Sequence, residues 1–580
     1  MVSATVAAVV LAPLVRPGYV LRYDMVFTPR QPLRADLFAP ADGAPRAVPL
    51  DALVSLATVV MPGWLLQRVV LAAILAGAAL GAARLVPATR TGTRVVAALC
   101  YAWTPFVAER LLLGQWGLLC AYAALPWLVR ALREEQLRTE RLQRERFRRE
   151  RLRRKRLRRE RLRRGRPALV VAAAAACVTP TGGLVALAVT AVLARGRGWA
   201  VAAVAGLNAP WLVAAATAPA GSDPAGVGAF AARAENWGGT LVALAGTGGV
   251  WNARAVPASR GSVLLPVFTA GLLVVAGYGL GVLRRRRPGG TGTRLALLGA
   301  GSLLLAAAGA LPGTAGLLRL AIVHVPGAGL LRDGQKLLLP YALCLALCVA
   351  LGAERLAGTL AGRTRRTAGG RTGEPPDGRT ERTPGGRTGR LVLAGFALLP
   401  VALLPDLAWG AGGRLRPVAY PAEWTLVART VAADPGPVVS LPLSAYRDYP
   451  WNPGAVVLDP AGRYLAAPVI ADDRLRVGAV TVAGESRAAA EVRDRLAAGR
   501  SAAGPDVRWV LVQRGVSGAV PATATAGLVP VHAGTQLVLY RNPRFRAARD
   551  GTPLFALAGY PVAAAVLLTA LTMRTTRPRG

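Results

Sequence analysis

Charged side chains suited to acid–base chemistry next to a phosphate occur in three short segments of this sequence. The first segment is RYDMVFTPR, which places Asp24 between Arg22 and Arg30. A carboxylate that stays ionised beside arginines can act as a general base, and the arginines can hold a phosphate. An ordinary salt bridge in a loop is the alternative that this spacing leaves open.

The other two segments are ERLLLGQ at 109–115 and LRDGQK at 331–336. The cations of 331–336 can clamp a phosphate, and an acid next to a base at a tight turn can line a cavity. The alternative is that these residues only anchor the ends of helices at the water boundary. Together the segments supply the remaining candidate binding residues: Glu109, Arg110, Gln115, Arg332, Asp333 and Lys336.

Metal and cofactor chemistry has little support in the sequence. The two histidines, His324 and His532, are far apart and lack a second ligand nearby, and all five cysteines lie in apolar runs. Asp24 is not part of an acidic pair, because Tyr23 precedes it and Met25 follows it. We therefore expect no cofactor and no metal site, with a divalent metal left open as the alternative.

A membrane-spanning framework must position these segments. The 580 residues are 53% hydrophobic and have a mean hydropathy of +0.39, despite a formal net charge of +41. Apolar runs near the ~20 residues that cross a ~30 Å hydrocarbon core recur along the chain. The expected fold class is an α-helical polytopic membrane protein with about twelve transmembrane helices, at 2–16, 64–86, 94–108, 116–132, 167–179, 182–194, 199–217, 263–283, 295–311, 336–353, 391–408 and 553–573.

The basic clusters predict the orientation of these helices. Twelve spans would place every short Arg-rich loop on one side, which the positive-inside rule assigns to the cytoplasm together with both termini. Arginine greatly outnumbers lysine, as in GC-rich bacterial genomes, so we expect a bacterial plasma membrane. The topology of 167–194 is left open, because this segment forms either two short spans or a re-entrant pair.

The same orientation predicts the domains. A transmembrane helical domain would cover 1–408. It would contain a first extracytoplasmic loop at 17–63, an Arg-rich cytoplasmic loop at 133–166 and a disordered low-complexity cytoplasmic loop at 354–390. Residues 409–552 would form a small extracytoplasmic α/β domain, and 553–580 would form the last transmembrane helix and a cytoplasmic tail. Within the α/β domain, the residue pattern predicts strands at 438–443, 507–512 and 536–543 and a helix at 486–499.

The Arg-rich run LRTERLQRERFRRERLRRKRLRRERLRRGR, at 137–166, first suggests a polyanionic partner. Its apolar residues recur every five positions, so on a helix they spiral around the surface and form no stripe. The run has one aromatic residue, Phe147, and therefore lacks stacking platforms for bases. We expect a solvated helical extension of the fourth span that marks the cytoplasmic side, with anionic-lipid contact as the alternative and no nucleic-acid partner.

The combination of an acid in the first outward loop, about a dozen short spans and a C-terminal extracytoplasmic domain resembles the GT-C type of integral-membrane glycosyltransferases. RYDMVF, TPFVAERLLLGQW and LRDGQKLLLPYAL are similar to segments of poorly characterised actinobacterial membrane proteins with that layout. The resemblance implies a polyprenyl-phosphate sugar donor, a cell-envelope glycan or lipid acceptor, Asp24 as the catalytic base, and Arg332 and Lys336 as phosphate binders.

Two other functions remain open at this point. A flippase or transporter of lipid-linked sugars would need polar or charged residues in the middle of its spans, and here the charges concentrate at the span ends. A non-catalytic membrane scaffold would hold partners through 409–552 and the Arg-rich loops. Deletion of 137–166 separates the last alternative, because a scaffold would lose function and an enzyme would largely tolerate the change.

Overall fold

Helices dominate the architecture of the chain. The computed structural model describes residues 1–40, 42–149, 166–217, 221–287, 290–369, 384–547 and 554–575. The helices that carry the membrane part and its loops are Val2–Leu11, Leu50–Val60, Gly63–Leu85, Thr91–Ala102, Pro105–Leu112, Trp116–Arg149, Arg166–Ala176, Pro180–Leu193, Gly198–Thr217, Leu265–Arg286, Thr291–Ala307, Pro312–His324, Leu339–Gly369, Pro384–Leu403 and Gly559–Thr575.

The chain is a multi-pass membrane protein, and a helix lies at each predicted span. Within the described residues, seven helices are long and apolar enough to cross a membrane. The number becomes eight if Thr291–Ala307 and Pro312–His324, which are bent by 87° relative to each other, count as one span. Arg166–Ala176 and Pro180–Leu193 are separate short helices. The count of twelve crossings therefore stays a prediction.

The predicted low-complexity loop at 354–390 is more helical than expected. The helix Leu339–Gly369 continues through the first part of 354–390, and Pro384–Leu403 occupies its end, so the prediction of a disordered loop is wrong for those residues. At the start of this loop, Glu354 accepts hydrogen bonds from Thr89 and Thr93 and pairs with Arg286 at 2.6 Å, so the helix is held by neighbouring helices at that point. Residues 370–383 lie outside the described residues.

The Arg-rich run continues the fourth predicted span as a helix. That helix, Trp116–Arg149, runs without interruption into the run, which confirms the predicted helical extension as far as Arg149. Residues 150–165 lie outside the described residues, so the predicted lipid contact of 137–166 stays a prediction.

A small mixed sheet forms the centre of the C-terminal region. Its five strands lie in the order Val529–Ala533, Leu537–Arg541, Trp509–Gln513, Val438–Leu441 and Val469–Ile470. The last three strands are parallel, and the first two pair antiparallel. Two helices of this region are Ala422–Ala433 and Arg487–Ala497. The predicted strands near 438, 507 and 536 and the predicted helix near 486 are confirmed; the boundaries of the domain stay predictions.

The first loop is physically part of this sheet region. Tyr19 and Val20 pair antiparallel with Val418 and Pro417. Farther along, the backbone N–H of Tyr23 donates to the carbonyl of Val456 at 2.6 Å, and its own carbonyl accepts from Leu458 at 2.8 Å. Aromatic rings cover this junction, with Tyr420 packed against both Tyr19 and Trp424. The start of the first loop therefore has a fixed position relative to residues 409–552.

A buried ion pair lies beneath the sheet. Arg447 and Asp459 are 3.0 Å apart, with side chains that are 0% and 4% exposed. Asp459 also accepts hydrogen bonds from Ser440 at 2.5 Å and from Gln513 at 2.9 Å. Since every oxygen of the carboxylate is satisfied, the pair can hold strands that are distant in sequence in one arrangement.

The buried pair and an exposed pair in the same region make a stability test. Asp459→Asn leaves the Arg447 charge buried without a counter-ion, so it should destabilise the protein by about 3–5 kcal/mol. Asp434→Asn is the matched control, because Asp434 pairs with Arg508 while 42% exposed, and it should cost at most about 1 kcal/mol. Thermal unfolding of the purified full chain in detergent measures both, and equal shifts would contradict a structural role for the buried pair.

Candidate active site

A tight turn of the first loop presents Asp24. Arg22 and Met25 exchange backbone hydrogen bonds of 3.1 and 2.9 Å, and Tyr23 between them has a positive φ of 43°. The Asp24 N–H donates to the carbonyl of Leu113 at 3.1 Å, which ties this turn to the end of the helix Pro105–Leu112. Asp24 is thus positioned by its backbone before its side chain makes any contact.

Gly114 allows the two turns to approach each other this closely. Its φ is +73°, a conformation that favours glycine. A Cβ at this position would lie 2.2 Å from the Met25 nitrogen and 2.3 Å from the Arg22 carbonyl oxygen. Any larger residue would therefore push the Asp24 turn away from the helix end.

Both carboxylate oxygens of Asp24 accept a hydrogen bond. The Tyr446 hydroxyl donates to Oδ1 at 2.6 Å, and the Gln115 amide donates to Oδ2 at 3.1 Å. Burial, followed by the negative charge of Asp24, raises the pKa of Tyr446 well above its usual value of 10. Tyr446 therefore keeps its proton and remains a hydrogen-bond donor to Asp24.

A chain of polar contacts leads from Asp24 to the third predicted segment. The Gln115 carbonyl oxygen accepts from Arg110 Nη1 at 2.6 Å, which orients its amide toward Asp24. Arg110 also donates two hydrogen bonds of 2.8 and 2.9 Å to Asp333. Lys336 lies 3.6 Å from the same Asp333 carboxylate. The structure thus brings together Asp24, Arg110, Gln115, Asp333 and Lys336.

Charge balance explains why Asp333 is buried but ionised. Burial alone would raise the pKa of Asp333, and the opposing charges of Arg110 and Lys336 outweigh it, so the pKa lies below its usual value. Lys336 keeps 28% of its side chain exposed and is close enough to Asp24 to interact with its charge. Lys336 is the cation of this group that can still reach a ligand.

Glu109 is in a buried cluster of its own. It lies in the last turn of the helix Pro105–Leu112, instead of in the predicted turn, and is fully buried. Gln335 donates to its Oε2, and the Glu235–Arg260 pair, whose atoms are 2.7 Å apart, is its neighbour. The contacts of Glu109 are with these residues, so its binding role stays a prediction.

The three remaining predicted arginines do not contact the Asp24 carboxylate. Arg22 Nε donates to the Leu112 carbonyl at 3.0 Å, and Arg30 is exposed. Arg332 pairs with Glu485 at 3.5 Å and lies over the Phe230 ring. The roles of these arginines in phosphate binding stay predictions.

Two residues at the site come from the sheet region and were not predicted from the sequence. Besides Tyr446, Arg463 donates to the backbone carbonyl of Asp24 at 3.4 Å and to the Asp51 carboxylate at 3.2 Å. Burial opposes the charge of Arg463, but Asp51 outweighs it and raises the pKa of Arg463. No local sequence pattern could link Tyr446 or Arg463 to Asp24, because each lies more than 400 positions away from it in the chain.

Among the described residues, no three His, Cys, Asp or Glu side chains lie close enough together to hold a metal ion. The acids near Asp24 are instead neutralised by arginine and lysine, as the Arg110–Asp333 pair illustrates. The arrangement suits proton transfer at Asp24 next to an anion that a cation holds.

Solved structures show a similar fold. The sequence matches no protein-family model and no curated protein. A cryo-EM structure of the arabinofuranosyltransferase AftD from mycobacteria superposes with a TM-score of 0.53 at 17% identity, over 95% of this chain and 40% of that chain. This chain has a GT-C-like fold. A mutant of AftD gives the same TM-score over 42% of its chain.

At 17% identity the likeness concerns the fold, and this chain spans about two fifths of the length of AftD. The archaeal oligosaccharyltransferase AglB from Archaeoglobus fulgidus, solved with an inhibitory peptide and a dolichol-phosphate, superposes with a TM-score of 0.30 at 12% identity, over 88% of this chain and 65% of that chain.

Two glycine variants test how Asp24 is positioned. Gly196 has nearly the same φ as Gly114, +74°, and its Cβ would meet nothing within 4 Å. Gly196→Ala should therefore cost only the left-handed backbone strain, about 1–2 kcal/mol. Gly114→Ala adds a clash with the Asp24 turn and should destabilise the chain clearly more. Thermal unfolding of both variants measures the difference, and equal losses would show that the two turns are not in close contact.

Proposed function

We propose that this chain is a membrane glycosyltransferase of GT-C type. It transfers a sugar from a polyprenyl-phosphate-linked donor to a cell-envelope glycan or lipid acceptor on the outer face of a bacterial plasma membrane, with both termini in the cytoplasm. The observation that carries the proposal is an Asp24 carboxylate oriented by Tyr446 and Gln115, next to Lys336, in a chain with a GT-C-like fold.

Asp24 is the proposed catalytic base. Its ionised carboxylate takes the proton of an acceptor hydroxyl as the hydroxyl oxygen bonds to the anomeric carbon of the donor sugar. The bond between that carbon and the phosphate oxygen breaks, and its electron pair leaves with the polyprenyl phosphate. Tyr446 and Gln115 hold the carboxylate in one orientation, which lowers the entropic cost of reaching the transition state.

Lys336 and Arg332 are the proposed partners of the departing phosphate. Each of them shares a carboxylate with a second cation and is the more distant of the two. Lys336 is 3.6 Å from Asp333, which Arg110 binds at 2.8 Å, and Arg332 is 3.5 Å from Glu485, which Arg46 binds at 2.8 Å. Either cation can turn to a phosphate without leaving its acid unpaired, so it can stabilise the charge that develops there.

A complementation experiment tests the role of Asp24. In a strain that lacks this chain, Asp24→Asn should fail to restore the envelope glycan, because loss of a general base costs about 10²–10⁴-fold in rate. Asp36→Asn is the matched control, since Asp36 lies in the same loop and pairs with Arg34 at 2.9 Å. It should restore the glycan as the wild type does.

Membrane levels of both variants are measured by immunoblot, so that a failure to insert is not mistaken for a loss of activity. If Asp24→Asn reaches the membrane and restores the glycan as well as the wild type does, Asp24 is not the base. If both variants fail at normal membrane levels, the loop acids act through structure and the catalytic assignment is wrong.

A further inference from the structure

A cavity of about 480 Å³ lies beside the Asp24 turn. The first loop, the segment that follows Pro384–Leu403 and the loop 452–456 form its walls. The described residues that line it include four arginines and no aspartate or glutamate. The arginines are Arg22, Arg254, Arg414 and Arg416. A cleft lined by one sign of charge concentrates ions of the opposite sign.

Arg22 is the buried member of this group. It is only 6% exposed, and its Nε donates to the Leu112 carbonyl at 3.0 Å. No described residue accepts a hydrogen bond from its Nη1 or Nη2, and Arg22 is one of the residues that line the cavity. Burial, and then the like charge of Arg414, lower the pKa of Arg22. A buried guanidinium with free donors, facing a second guanidinium, is costly unless an anion binds between them.

A left-handed turn directly precedes two of the other arginines, Arg414 and Arg416. Trp409, Gly410, Ala411 and Gly412 have φ values between +51° and +69°, and Gly413 follows at +75°. The conformation costs about 1–2 kcal/mol for each non-glycine residue. It reverses the chain directly before Arg414, whose guanidinium donates to the carbonyls of Val256 and Arg254. The strain therefore serves to collect positive charge in one place.

We propose that this arginine-lined cavity binds a phosphate group, at a site separate from the one next to Lys336. Guanidinium groups bind phosphate oxygens in pairs, and the free Nη1 and Nη2 of Arg22 offer such a pair.

The position of the cavity indicates which substrate brings the phosphate. Arg22 and Asp24 are two positions apart in the chain, so their Cα atoms are at most about 7.6 Å apart. Tyr23 lines the cavity between them, whereas the Asp24 carboxylate faces Tyr446 and Gln115. This step rests on the proposed function: the phosphate belongs to the acceptor, which presents its hydroxyl to Asp24 from a phosphate-bearing molecule.

Binding of decyl phosphate to the purified full chain tests the site by calorimetry. The measurement uses protein with both Lys336→Gln and Arg332→Gln, which removes the two cations of the other proposed phosphate site. Adding Arg254→Gln and Arg416→Gln, two exposed positions that should not disturb folding, should weaken binding at least about tenfold. Adding Arg487→Gln and Arg500→Gln, two exposed positions outside the lining, changes the net charge equally and should leave the affinity within about twofold.

The outcomes separate this site from the proposed function. Tenfold weakening in the cavity variant alone supports the site, and equal affinity for inorganic phosphate would assign it to a free phosphate. No binding of either probe, or equal weakening in both variants, would overturn the proposal. The Asp24→Asn complementation result is independent of these titrations, because Asp24 is not in the lining of the cavity.

Discussion

The backbone pairing of Tyr23 is the constraint on which the rest of the site depends. On one side its N–H and C=O bond to Val456 and Leu458 of the sheet region, and on the other the next residue bonds to Leu113 at the end of a membrane helix. A segment held from both sides cannot shift without breaking hydrogen bonds in a buried setting, where each unpaired group is costly. Asp24 therefore has a fixed place between the helices and the sheet.

Two shared carboxylates provide a second organising feature. Asp333 and Glu485 each have one close and one longer cationic partner. Such pairing neutralises buried acids and keeps a second positive charge ready for a ligand. The arginine-lined cavity lacks acids of this kind, which is why we interpret it as a site whose counter-ion is supplied by the bound molecule.

Much of the framework could be predicted from the sequence because its signals are local. Long apolar runs located the helices, and short apolar runs located buried strands such as Val438–Leu441 and Trp509–Gln513. The three charged segments could also be grouped, since orientation placed them on one side. The sequence did not predict that the helix Leu339–Gly369 continues beyond its apolar run. Glu354 lies in this continuation, and its partners Thr89 and Thr93 are more than 250 positions away in the chain. Tyr446 and Arg463 were missed for the same reason, because no periodicity links them to Asp24.

We propose that Asp24 and Lys336 face one phosphate-bearing donor. A cryo-EM map of the purified chain with a polyprenyl phosphate, the proposed product, tests it most directly. We expect density for the phosphate within about 2.7–3.2 Å of the Lys336 amine, with the Asp24 carboxylate open to the same space. Phosphate density only in the arginine-lined cavity, or an Asp24 carboxylate enclosed by protein on all sides, would contradict the account.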